Sequence, residues 1–244
     1  MKSLKTKAEA MAGPRVAKLF EQAADPTHVK LENAPKYMRR KTFTRMLSLY
    51  EVFKQVLDVK GSVVECGVNR GFGTMCWAQF SAVLEPANLT RRIYGFDSFE
   101  GFTGVHANDK NARLNPAKGG LKADSYDELK KLIDIYDSDR FLGHVDKVHL
   151  IKGDATKTIP EFVAKNKHLV VSLLFMDFDL YEPTKVALEN FVPRMPKGAV
   201  LAFDELDNPI WPGETQAALE SVGLRKLKLR RLPWDPYISY AVLD

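Results

Sequence analysis

Carboxylates recur along this chain where short apolar runs stop, and glycines accompany them. Ser62–Cys66 runs into Glu65-Cys66-Gly67-Val68-Asn69-Arg70-Gly71-Phe72-Gly73-Thr74. Three glycines in a strand-to-helix turn let a backbone approach a ligand, with the spacing E-x-G-x-x-x-G-x-G rather than the dinucleotide pattern G-x-G-x-x-G. A pyrophosphate at a helix N-terminus wants positive and neutral groups around it, so Glu65 points instead to a ligand carrying an ammonium group. A second run ends in Tyr94-Gly95-Phe96-Asp97-Ser98-Phe99, and Asp97 at a neighbouring strand tip suits a pair of ribose hydroxyls, because a carboxylate accepts two O–H bonds at once. A third ends in Lys152-Gly153-Asp154-Ala155, where Asp154 is placed to accept from an adenine amino group. Each acid alone is also a candidate helix cap. Together they describe a pocket for a nucleoside joined to an amino acid.

A different chemistry is written further along. Asp177 closes the run Leu169–Met176, and Asp204-Glu205 closes Ala199–Phe203. Consecutive strands of this kind are usually neighbours, about 4.8 Å apart, so three carboxylates converge. That much negative charge at one point calls for a cation, and all-oxygen ligation selects a hard ion such as Mg²⁺ over zinc; the alternative is three solvated acids in separate caps. Asp179, two residues past Asp177, shares its side if the chain stays extended, where it would serve as a base. Of the five histidines, only His106 falls in the long loop described below, as a possible contact of the site.

These residues need a scaffold, and the pattern supplies one. Apolar runs alternate with helical spacing from residue 42 onward, the mark of a parallel sheet wrapped by crossover helices. Seven strands are expected: Ser62–Cys66, Arg92–Phe96, Val148–Lys152, Leu169–Met176, Ala199–Phe203, Lys226–Arg231 and Ile238–Leu243. The fourth hardly alternates and should be buried on both faces; the sixth alternates Lys226, Lys228 and Arg230 with leucines, as an edge strand does. Helical period appears at Phe43–Leu57, Cys76–Leu84, Tyr126–Tyr136 and Ala187–Met195, with Pro183 suited to the first turn of the last. The interval Asp97–Val148 is too long for a crossover, so it holds an insertion, 101–146. Its Gly-, Asn- and Lys-rich first part, Gly101–Asp124, reads as a loop that orders over a ligand. The expected organisation is a basic N-terminal arm and lid helix, 1–58, followed by one α/β domain, 59–244.

On these motifs the chain resembles the class I S-adenosylmethionine-dependent methyltransferases, and within them the macrocin O-methyltransferase family of metal-dependent enzymes, from about Tyr37 to Ala218. The resemblance rests on Glu65-Cys66-Gly67-Val68, Phe96-Asp97-Ser98-Phe99-Glu100-Gly101-Phe102, Gly153-Asp154, Asp177-Phe178-Asp179-Leu180-Tyr181-Glu182-Pro183-Thr184, and Asp204-Glu205 before Trp211-Pro212-Gly213. Phe178 and Glu205 stand where the family usually has a small residue and an aspartate. The resemblance implies a Rossmann-like, mostly parallel seven-stranded sheet. It implies S-adenosylmethionine held by Glu65, Gly67, Gly71, Asp97, Ser98, Asp154 and Ala155, and Mg²⁺ held by Asp177, Asp204 and Glu205. Asp179 would be the catalytic base, and the acceptor a hydroxyl of a small molecule, a sugar or glycoside among the choices.

Composition narrows the alternatives. The chain has 244 residues, 45% hydrophobic and 27% charged, ordinary values for a globular protein. No apolar run approaches the roughly 18 residues of a membrane span. Cys66 and Cys76 are the only cysteines, which offers no disulfide framework and suits a cytoplasmic setting. The net charge of +5 is local: residues 1–45 hold eleven basic and four acidic residues, leaving about −2 for the rest. A basic leader without interleaved aromatics reads as a solvated arm rather than a nucleic-acid surface. The competing readings are a metal-independent methyltransferase acting on nucleic acid and a non-catalytic binding protein. The strand-four motif lacks the Asn/Asp-Pro-Pro-aromatic signature of base methylation, and the full acidic set argues against loss of catalysis. Self-association into a homo-oligomer is left open.

Overall fold

The computed structural model describes residues 6–110 and 115–244. Lys2 and Lys5 of the basic leader, and 111–114 of the insertion, lie outside the described residues. By its own packing the chain divides into two units, 1–47 and 48–244, with the boundary inside a helix.

The first unit is helical. Helix α1 (Lys7–Gln22) starts with a capping box in which Thr6 and Glu9 each satisfy the other's backbone N–H, and it buries none of its residues. A short α2 (Thr27–Glu32) follows, and its Lys30 is buried with Nζ donating to the Phe20 carbonyl at 2.6 Å. Helix α3 (Arg40–Lys54) runs across the boundary.

The second unit is an α/β domain. Its strands are β1 (Ser62–Cys66), β2 (Ile93–Asp97), β3 (Val148–Lys152), β4 (Val171–Met176), β5 (Val200–Phe203), β6 (Arg230–Leu232) and β7 (Asp235–Val242). They form one sheet in the order β3-β2-β1-β4-β5-β7-β6, parallel except where β7 pairs antiparallel with β5 and β6. This is the seven-stranded, mostly parallel class I methyltransferase architecture. As its apolar run requires, β4 is buried throughout. The sixth strand is shorter than its alternation suggests: a 3₁₀ turn occupies Leu224–Lys226 and only three residues pair. Lys226 and Lys228 therefore lie before the strand, and an edge with one partner leaves nothing to hold them in the ladder.

Period-two alternation divides the core. Val63, Ile93, Leu173, Phe175, Val200 and Ala202 face one layer, packed on the end of α3, on α4 (Phe72–Leu84) and on α5 (Tyr126–Asp139). Val64, Phe96, Leu174, Met176, Leu201 and Phe203 face the other, against α6 (Ala155–Lys165), α7 (Tyr181–Phe191) and α8 (Pro212–Ser221). Strand order reverses between β1 and β4, and at such a switch point the loops beyond the carboxyl ends part to leave a crevice.

Candidate active site

A cavity of about 430 Å³ opens at that crevice, within the range of small-molecule sites. One wall comes from the loops after β1, β2 and β3: Gly67, Asn69, Asp97, Ser98 and Gly153–Thr156. A second wall comes from Asp177–Leu180, Glu182 and Pro183 after β4, and from the insertion at Gly101–His106, Gly120 and Leu121. Five of the seven residues expected to bind the cofactor line it: Gly67, Asp97, Ser98, Asp154 and Ala155. Glu65 and Gly71 stand behind.

The first wall is built by backbone amides. Asp97 Oδ2 accepts from Asn69 N–H at 2.7 Å and Oδ1 from Phe99 N–H at 2.6 Å, which fixes the carboxylate at the tip of β2. Asp154 caps α6, its Oδ1 accepting from the Thr156 N–H at 3.1 Å and hydroxyl at 2.8 Å, so its cap role and its place in the cavity coexist. Glu65 is buried and accepts from the Thr74 hydroxyl in the first turn of α4. The glycines answer to the protein itself. A Cβ on Gly67 would lie 2.0 Å from the Asp177 carbonyl, and one on Gly73 would collide with the Glu65 carboxylate.

The second wall is acidic and turned. Asp177 and Asp204 leave adjacent strands in step, since Met176 pairs with Phe203 and the Asp204 N–H donates to the Met176 carbonyl at 3.0 Å. Asp177 and Asp179 line the cavity, whereas Asp204 and Glu205 do not. Asp179 is not in extended chain: its φ is 62°, a left-handed conformation that costs a non-glycine residue energy. Asn69, Phe99 and Asp207 share that conformation in the loops after β1, β2 and β5, so strain gathers at this edge of the sheet. The Glu205 carboxylate accepts from the Asn208 amide. Among the described residues, no three acids, histidines or cysteines are gathered as they stand into a group that could hold a metal ion.

Glu214 was not singled out from the sequence, because one glutamate in the first turn of α8 looks like any helix-start acid. It is fully buried, its Oε1 accepts the Glu205 N–H at 2.9 Å, and its Oε2 has no hydrogen-bond partner. Burial pushes its carboxyl well above the ordinary 4.5; the Glu205 N–H pulls it back, and Asp204, Asp179 and Glu205 push it further up. An orphan oxygen amid three further carboxylates, all hard oxygen donors, is the environment a hard cation relieves. Trp211, of the motif that follows Asp204-Glu205, packs edge-on against Phe102 with ring centroids 5.8 Å apart.

A nucleoside-sized crevice at the switch point, an acid fixed at the tip of β2 and the acids Asp177 and Asp179 in the same cavity define a class I S-adenosylmethionine-dependent methyltransferase. The chain belongs to the macrocin O-methyltransferase (TylF) family, S-adenosylmethionine-dependent enzymes, whose model matches residues 34–222. It is similar to the solved calicheamicin methyltransferase CalS11, with a TM-score of 0.93, 38% identity and coverage of 98% of this chain and 94% of that one. A second structure, apo CalS11, described as a TDP-rhamnose 3'-O-methyltransferase of calicheamicin biosynthesis, matches at TM-score 0.85 and 36% identity over 98% and 96% of the two chains. It is also similar to the 8-demethyl-8-(2,3-dimethoxy-alpha-L-rhamnosyl)-tetracenomycin-C 4'-O-methyltransferase of Streptomyces olivaceus. That relative is 33% identical over 153 residues, which is 60% of this chain and about half (53%) of the relative's length. Among the described residues no helix is long and apolar enough to cross a membrane.

Proposed function

We propose that this protein transfers the methyl group of S-adenosylmethionine to a hydroxyl of a deoxysugar, rhamnose or a near relative, borne by a small molecule. The observation that carries this is a cavity with two unlike walls, one suited to a nucleoside and the other to a hydroxyl that must lose a proton. The sugar is supported by the two similar proteins described as acting on rhamnose. Asp97 holds the ribose hydroxyls with the lone pairs its amide donors leave over, and Gly67, Ser98, Asp154 and Ala155 complete the cofactor's wall. Glu65 and Gly71 shape the loop from behind.

The sulfonium already supplies the electrophile, so the residues must align the acceptor oxygen and dispose of its proton. Asp179 lines the cavity in a backbone conformation that the surrounding loop enforces, and it takes that proton. As the O–C bond forms, the C–S bond breaks with its electron pair going to sulfur, and S-adenosylhomocysteine leaves. Asp177, Asp204 and Glu205 would hold Mg²⁺, with Glu205 exchanging its Asn208 partner to join the other two. When bound, the ion would lower the pKa of the acceptor hydroxyl.

Incubating the protein with S-adenosylmethionine, Mg²⁺ and either TDP-rhamnose or methyl α-L-rhamnoside should yield a monomethylated sugar and S-adenosylhomocysteine. Excess EDTA should abolish transfer and added Mg²⁺ restore it. Full activity in EDTA removes the metal from the reading, and failure on every rhamnoside removes the sugar.

A further inference from the structure

The sugar must be held by more than the oxygen that reacts, and the second wall carries a pair of groups outside the roles already assigned. His106 of the insertion and Glu182 of the first turn of α7 both line the cavity. The Nδ1 of His106 accepts the Asn108 N–H at 3.1 Å, so the neutral ring carries its hydrogen on Nε2 and presents a donor there. That Nε2 is 3.6 Å from Glu182 Oε1, too far for a hydrogen bond between them. A donor and an acceptor side by side are satisfied together by one hydroxyl, which accepts from the imidazole and donates to the carboxylate.

The pair is held in place from beneath. Asp109, buried, accepts the His106 N–H at 2.8 Å on one oxygen and the Tyr181 N–H at 2.7 Å on the other, so a single carboxylate ties the insertion to the start of α7. The His106 ring stacks on Tyr181 with centroids 4.6 Å apart and planes 28° from parallel. The Tyr181 hydroxyl is in turn held by Lys185 and Glu220. A Cβ on Gly213 would lie 2.1 Å from Asp109 Oδ1, so the first turn of α8 carries a glycine where the carboxylate needs the space.

We propose that His106 and Glu182 form a clamp for a hydroxyl of the acceptor sugar other than the one methylated, and so decide which hydroxyl reaches the methyl group. This rests on the sugar reading above. The clamp's fixed donor end also means that His106 does not take the acceptor's proton through Nε2, which leaves that role to Asp179.

The test compares the rhamnoside that wild type methylates with its monodeoxy congeners, in wild type, H106F and E182A. Phenylalanine keeps the stack on Tyr181 and removes the donor; Glu182 is half exposed and tolerates truncation. In wild type, one congener should lose roughly ten- to a hundredfold in kcat/KM, the scale of hydrogen bonds to charged groups. Each variant should lose a similar factor on the parent sugar, mainly through KM, and should no longer penalise that congener. Cofactor affinity by calorimetry should stay within about twofold. A deoxy penalty that survives in both variants, or no penalised congener in wild type, overturns the clamp while leaving the sugar reading intact. A wild type that methylates no rhamnoside overturns the sugar reading and the clamp with it.

Discussion

The two walls of the cavity both end in carboxylates, yet they treat them differently. On the side of β1, β2 and β3, Asp97 and Asp154 are met by backbone N–H groups, which cost nothing further to organise when a ligand arrives. On the side of β4 and β5, Glu214 feels the charges of Asp204, Asp179 and Glu205 and keeps one buried oxygen without a hydrogen-bond partner. The first wall is finished as the chain folds. The second keeps one carboxyl oxygen of Glu214 unpaired, and in the proposed reaction it is the wall at which a proton changes hands. Recognition of a constant cofactor tolerates rigidity, whereas moving a proton needs a group whose environment is not already satisfied.

The sharpest way to break this comparison is Asp179→Asn. If the acidic wall does the proton chemistry, kcat should fall by roughly 10² to 10⁴ with cofactor affinity unchanged, because an amide fills the same space without accepting a proton. Steady-state rates and calorimetry on the same preparation separate the two. Normal turnover would place the base elsewhere in the cavity.

The converse substitution on the finished wall is Asp97→Ala. It should weaken S-adenosylmethionine binding by about 1.5 to 3 kcal/mol, roughly ten- to 150-fold, and should spare kcat at saturating cofactor. Part of that loss arises because Asn69 and Phe99 N–H lose the acceptor that shapes their loop. Unchanged affinity would remove the ribose assignment and with it the contrast between the walls.

How much of each wall is legible in the sequence follows from the same contrast. The cofactor wall declares itself because local pattern makes it: an apolar run closed by an acid with a glycine one or two residues away, three times in succession. The β1 and β3 runs and the adjacency of β4 and β5 come out as read, while the fourth strand starts two residues later than expected, at Val171. The acceptor wall is assembled from distant pieces. Asp109 caps α7 from 72 residues away, and Glu214 reaches the Glu205 N–H from the next helix, so neither spacing nor periodicity marks them. Local reading also misjudged conformation where context overrides propensity. Asp179 sits at positive φ rather than in extended chain, and Lys226–Leu229 does not join a strand despite its alternation. Helix α1, with Gly13-Pro14 at its middle, is not among the helices expected from the sequence.

The smallest effect expected lies away from the cavity, near the start of β3, and should touch stability without touching chemistry. His149 stands in β3, at the edge of the sheet, with its ring stacked on Tyr94 at 5.3 Å. Burial first, and the Arg92 charge second, lower its pKa below the ordinary 6.5, while Asp146 and Asp137 oppose them. The folded protein therefore keeps this ring neutral to lower pH than the unfolded chain does. Above 6.5 both states are neutral, and the contribution to stability is full and flat. As pH falls through 6.5 the unfolded chain takes up a proton that the fold refuses, so stability drops until the lowered folded pKa is passed. His149→Phe keeps a ring against Tyr94 and removes the titration. Melting temperatures between pH 8 and 5 should show the two proteins running parallel above 6.5 and the variant losing less below it, with kcat and cofactor affinity unchanged. Curves that stay parallel to pH 5 would mean that β3 opens to solvent at His149. The start of β3 would then be less rigid than its carboxyl end, where the amide bonds around Asp97 and Asp154 hold the cavity wall.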